Sequence, residues 1–117
     1  MSNPPGKGLA ILGYCSVFGL FIHIFLFIAI LGTAILLNNG KGQQFAAFHL
    51  RQMFGIGIVA ILINAFTPII EQGWLALLII SLIVLVAVLG LLSALRNQMI
   101  TLPFIGDYFQ KWFSFIK

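Results

Sequence analysis

The residues best equipped for chemistry lie in one short stretch. "FHLRQ", Phe48 to Gln52, sets a histidine, an arginine and a glutamine within four positions of an otherwise almost wholly apolar chain. His49 with Arg51 suits the phosphate of a lipid headgroup, since an imidazole and a guanidinium both donate to anionic oxygen. A second histidine, His23, stands at the midpoint of an apolar run, where an ionisable side chain is a candidate proton relay or, more plainly, a neutral imidazole bonded to Ser16, Asn64 or a carbonyl. Other chemistry is scarce. Two histidines and the single Cys15, far apart in sequence, form no metal-ligand spacing. Glu71 and Asp107 fall in separate loops and make no acid–base pair, and there is no nucleophile triad, phosphate loop or dinucleotide fingerprint. "GIG" at Gly55 to Gly57 reads as helix packing. No catalysis, cofactor or metal is expected.

The elements that must position these residues follow from composition. The chain has 117 residues, 62% of them apolar and 7% charged, with a mean hydropathy of +1.16. Soluble domains carry about 25% charged residues, so the solvent here is lipid. The net charge of +4 comes from six scattered cations that form no nucleic-acid patch. Against a membrane they set orientation instead.

Three apolar runs are long enough to cross about 30 Å of hydrocarbon as helices: residues 9–37, 45–66 and 74–95. The first is too long for a signal peptide; it predicts a tilted or kinked span, unless it folds as a hairpin. "NNGKGQQ" and "TPIIEQG" are the loops between runs, and residues 1–8 form a flexible lead. After Pro103 and Gly106, Asp107 is expected to cap a helix from Tyr108 whose Tyr108, Phe109, Trp112, Phe113, Phe115 and Ile116 share one face. That pattern predicts a helix lying flat in the interface. The expected fold is therefore all-α: a polytopic membrane protein with three transmembrane helices and a short C-terminal amphipathic interfacial helix.

Small and polar residues mark the inner faces. Gly13, Ser16, Gly19 and His23 form a stripe on the first run, His49, Met53, Gly57, Ala60 and Asn64 on the second, and Ala87, Gly90 and Ala94 on the third. Such stripes let helix backbones approach, either in one bundle or against a partner subunit. Arg51, Arg96 and Lys111, with Trp74 and Trp112, are expected at headgroup level as topology anchors. Three spans put Lys41, Arg51, Arg96, Lys111 and Lys117 on one side and Lys7 on the other. The amino terminus is then expected outside and the tail in the cytoplasm, in a bacterial inner membrane.

A short, charge-poor chain with "FHLRQ" opening a transmembrane helix resembles a widespread bacterial membrane family of unassigned function, similar to the small channel-associated subunit of the chloroplast inner-envelope protein-import translocon. Phe48, His49, Arg51 and Gln52 carry the resemblance, and "LPFIG" at Leu102 to Gly106 resembles that family's turn after its last span. The plant relatives are usually given four spans. The resemblance implies a non-enzymatic accessory subunit of a membrane complex, linked to protein translocation, with lipids and membrane-protein subunits as partners and no nucleic acid. The alternatives are a small proton or ion conductor built on His23, and a lipid-binding protein or membrane enzyme built on His49 and Arg51.

Overall fold

The computed structural model describes residues 4–117. These residues are helical, with no strand among them. Helix α1 (Lys7–Cys15) continues as a 3-10 helix over Ser16–Phe21; α2 is Ile24–Asn38, and α3 is Gln44–Phe66 with a 3-10 extension over Thr67–Ile69. Helix α4 is Gly73–Leu95 and α5 is Gly106–Trp112. Of the expected lead, residues 1–3 lie outside the described residues, and Lys7 and Gly8 already belong to α1.

Two helices, α3 with its extension and α4, are long and apolar enough to cross a membrane. The expected single span over residues 9–37 is corrected: the chain reverses at Ile22–His23 and forms a helical hairpin. His23 takes extended backbone angles and caps α2 by accepting Phe25 N–H at Nδ1, at 3.1 Å. Gly19 lets the returning helix α2 pass closely, since a Cβ there would stand 3.1 Å from the Phe27 nitrogen. Lower down, Gly13 faces Leu31 across the same hairpin and Leu50 of α3.

The connection between α2 and α3 uses two glycines in the left-handed region, Gly40 and Gly42. Pro68, which has no N–H to continue a helix, stands in the extension that ends α3. The four long elements run alternately up and down. α1 and α3 touch across the middle; α2 flanks them on one side and α4 on the other. Alanine and glycine line the contacts: Ala10, Ala34, Ala46, Ala60, Ala87 and Ala94 are buried. Small residues at these contacts let the helix backbones approach closely and hydrogen-bond across them.

The reversal also relocates the start of α1. Lys7 Nζ donates to the carbonyl of Leu95 at 3.0 Å, so α1 begins beside the end of α4. The expectation of termini on opposite sides is therefore corrected: the start of α1 and the tail share one end of the bundle. All six cations collect there, because Lys41 lies in the α2–α3 loop, Arg51 in the second turn of α3, Arg96 just past α4, and Lys111 and Lys117 in the tail. Glu71 stands at the other end, in the α3–α4 connection.

The tail returns onto α3. Helix α5 starts at Gly106 with Ile105 as its cap residue and no side-chain cap bond; Asp107, expected as the cap, lies inside the first turn. Phe109 is buried against Gly55, where a Cβ would come within 2.5 Å of the ring, and the Phe113 ring meets Phe54 at 4.8 Å. Tyr108, Trp112 and Phe115 are exposed, so the expected single aromatic face is split between bundle and surroundings.

Candidate functional site: a closed polar clasp

The "FHLRQ" turn sits where α1, the exit of α4 and the tail converge on α3. His49 and Gln52 are fully buried, as is Tyr14 on α1. The Tyr14 hydroxyl lies 2.7 Å from His49 Nδ1, and His49 Nε2 lies 2.8 Å from the Gln98 carbonyl. A carbonyl only accepts, which assigns the proton to Nε2 and makes Nδ1 the acceptor of the Tyr14 O–H. Gln52 Nε2 donates to the Tyr14 oxygen at 3.0 Å, while Gln52 Oε1 accepts the Leu102 N–H at 2.8 Å. Every donor thus points the same way, from Leu102 through Gln52, Tyr14 and His49 to Gln98. Bonds aligned in this sense polarise and strengthen one another in a low-dielectric interior.

Local structure aims the far end of this chain of bonds. Helix α4 ends with Asn97 in the left-handed region, at φ 59°, and Gln98 N–H returns to the Ser93 carbonyl at 2.9 Å. Asparagine tolerates that conformation, and the resulting helix stop turns the Gln98 carbonyl back towards the bundle. Ser93 Oγ also donates to it, at 3.1 Å. Room for the Tyr14 ring comes from Gly90 on α4, where any Cβ would overlap the ring. Phe45 and Phe48 pack edge-on to the His49 imidazole at 4.7 and 5.1 Å, closing its remaining sides.

Arg51 does different work from the same turn. Its Nε donates to the Ile116 carbonyl at 2.8 Å and one terminal nitrogen to Gln110 Oε1 at 3.3 Å, while Gln110 Nε2 donates to the Phe48 carbonyl at 2.9 Å. Arg51, expected at headgroup level, thus holds the tail with its guanidinium. Arg51→Gln should release residues after Pro103, raising the trypsin cleavage rate at Lys111 while bundle stability changes by less than about 0.5 kcal/mol. Unchanged cleavage would show that Phe109 and Phe113 hold the tail without it.

The other sequence-marked residues divide clearly. His49, Gly57 and Ala60, with Gly13, Ser16, Gly19, Ala87 and Gly90, are buried as the stripes required. Both Asn64 and His23, expected to face protein, are exposed: His23 forms the apex of the hairpin, which turns back before it covers Asn64. Ser16 does not meet His23; its hydroxyl bonds to the Gly13 carbonyl. Trp74 and Trp112 are exposed at opposite ends of the bundle, and Arg96 and Lys111 are exposed at the cationic end. Tyr14 and Gln98 were not singled out by sequence. A tyrosine inside an apolar run was the available signal, since its hydroxyl needs a partner when buried.

Among the described residues no three His, Cys, Asp or Glu side chains gather as a metal site. The polar groups of the clasp are spent on one another and on main chain. No family model, no curated protein and no solved structure matches this chain.

Proposed function

We propose that this chain is a non-enzymatic integral membrane subunit that serves a larger complex, with protein translocation as the setting its "FHLRQ" resemblance implies. The observation that carries the reading is the closed clasp. The residues of the resemblance, His49 and Gln52 foremost, tie α1, the α4 exit and the tail to α3. A turn saturated in this way fixes a shape; it presents nothing to a substrate. Four helical elements, two of them long enough to cross a membrane and two shorter, agree in number with the four spans usually given to the plant relatives. The apolar outer surface, with Leu36, Leu62, Leu77, Leu85 and Leu89 exposed, suits lipid and neighbouring helices.

Orientation follows from charge. Six cations at one end against Glu71 at the other favour an orientation with the cationic end, and with it the start of α1 and the tail, on the cytoplasmic side of a bacterial inner membrane. Reporter fusions at either terminus should therefore read the same side; opposite readings would return the first run to a single span. The tail then lies at the cytoplasmic interface, one aromatic face on α3 and the other, Phe104, Tyr108, Trp112 and Phe115, entering the headgroup layer.

The test is affinity purification from native membranes in mild detergent. Recovery of translocase or secretion subunits at a fixed ratio supports the reading. Recovery of the chain alone, as a small homo-oligomer, overturns it.

A further inference from the structure

The two halves of the bundle differ in length. Helix α2 has 15 residues and spans about 22 Å, short of the roughly 30 Å of a hydrocarbon core. The candidate span Gln44–Ile69 has 26 residues, about 39 Å, and α4 has 23, about 35 Å. All four begin or end together at the cationic end, so the whole shortfall appears at the other. Gly57 of α3 lies against the Phe27 ring, which sets a common level. From there α2 runs about 6 Å to its cap at His23, whereas α3 runs about 14 Å to Phe66.

The apex of the short hairpin is polar in a way hydrocarbon does not tolerate. A chain reversal leaves the last carbonyls of one helix and the first amides of the next outside the helical ladder. Here the His23 ring satisfies one of those amides and is itself exposed, and Ile22 beside it is 77% exposed. Irregular backbone survives at membrane depth only when it is enclosed by protein or meets water. Just beyond the apex, Leu20 ends against a notch formed with Asn64 and Thr67 of α3 and Ile80 and Ile83 of α4. Asn64 is a second polar group left uncovered on the hairpin side, at a height where α4 still presents leucine outward.

We propose that the α1–α2 hairpin thins the bilayer on its own side of the bundle, drawing the far water boundary down to Ile22–His23 and Asn64, while α3 and α4 hold full thickness on the other side. The partner is the lipid bilayer itself. The inference rests on the membrane reading above, though not on any role in translocation. A short apolar element in a thicker bilayer deforms the bilayer at modest cost, and a mismatch on one side produces a one-sided dent. Such a dent shortens the hydrocarbon barrier beside the subunit, which is what a polar segment crossing there would meet.

A pair of residues at equal height tests it. Leu20 lines one notch with Ile80 and Ile83, and α4 runs opposite to α1, so Ile22 and Leu78 stand at about the same level on different sides. Leu78 is 48% exposed, so both positions accept a cysteine on the surface. In a Cys15→Ser background, Ile22→Cys, Leu78→Cys and Gln72→Cys are reconstituted separately in phosphatidylcholine vesicles and treated with a water-soluble maleimide. The reagent needs a hydrated thiolate, so a site in hydrocarbon reacts about a hundredfold more slowly than one in water. Thinning predicts that Ile22→Cys reacts within about threefold of Gln72→Cys while Leu78→Cys is protected. Phe25→Cys, 71% exposed on the next turn, repeats the reading should Ile22→Cys fold poorly. Protection of both Ile22→Cys and Leu78→Cys means a flat boundary above the apex and overturns the proposal, with the membrane reading intact. Fast reaction at both overturns it too, and release of the protein by alkaline carbonate then shows that the membrane reading itself has failed.

Discussion

His49→Leu is expected to lower the unfolding free energy in mild detergent by about 2 kcal/mol, although the new side chain fills nearly the same space. Two hydrogen bonds are lost, to the Tyr14 hydroxyl and to the Gln98 carbonyl. Interhelical bonds in membranes each contribute about 1 kcal/mol, and a buried group left without its partner adds a desolvation cost. Gln98 keeps Ser93 Oγ as a donor, which limits the damage at that end. At the other end Tyr14 still accepts from Gln52 but has nowhere to place its own proton. The aligned bonds therefore predict non-additivity. Tyr14→Phe removes the hydroxyl that links both neighbours, so the double variant Tyr14→Phe/His49→Leu should lose less than the two single losses added together, by about 1 kcal/mol. Titration with a denaturing detergent, read by helix content, measures all three. Strict additivity would mean that Tyr14 and His49 are not coupled, and the clasp would then be two unrelated contacts.

The sequence carried the architecture unevenly, for a reason rooted in the solvent. In water, apolar periodicity marks the buried face of a helix. Where the surroundings are read as lipid, both faces are apolar, so only small and polar residues distinguish inside from outside. The runs that became α3 and α4 were legible because polar loops bound them and each is long enough for one crossing. The glycine, alanine and serine stripes then named the inner faces of α1, α3 and α4. The hairpin was not legible as such. Leu9 to Leu37 contains no proline and no charge, and its reversal uses Gly19 for close passage and His23 as an extended cap. A histidine there reads as a buried polar group or a relay; its backbone role leaves no trace in composition. Length was the remaining clue, since the run is long for one span and short for two.

The clasp was half legible on the same grounds. "FHLRQ" stood out because polarity is scarce, and His49 was expected to face protein. Its partners were hidden by separation: Tyr14 lies 35 positions before it and Gln98 lies 49 after. Only the relative register of α1, α3 and α4 brings them together, and that register is set by packing details such as Gly90 beneath the Tyr14 ring. The bond from Arg51 to the Ile116 carbonyl was not legible, because the tail's return onto α3 leaves no mark on the spacing of residues so far apart.

Gly90→Leu should be the most damaging single change, costing about 3 kcal/mol or preventing assembly of α1 with α4. Any Cβ at this position overlaps the Tyr14 ring, and that ring is itself pinned at its hydroxyl by His49 and Gln52. Helix α4 can move away only by breaking the Lys7 to Leu95 contact and the approach of Gln98 to His49. Overpacking of a tight contact costs about 1–3 kcal/mol where neighbours can shift, and here the neighbours are tied. Removing a helical glycine returns at most about 1 kcal/mol in backbone propensity, which does not reverse the sign. Gly32→Leu is the matched control: nothing lies within 4 Å of its Cβ position, so the same substitution there should be neutral or mildly stabilising. A second-site change separates packing from a general intolerance of α4. Tyr14→Ala alone opens a cavity, but in the Gly90→Leu background the leucine has that space to occupy, so the double variant should be more stable than Gly90→Leu by at least about 1 kcal/mol. If Gly90→Leu behaves like Gly32→Leu, the Tyr14 ring does not rest on Gly90 and the register of α1 against α4 must be different. If it is damaging and Tyr14→Ala fails to relieve it, the obstacle lies elsewhere on α4 and the clasp loses its floor.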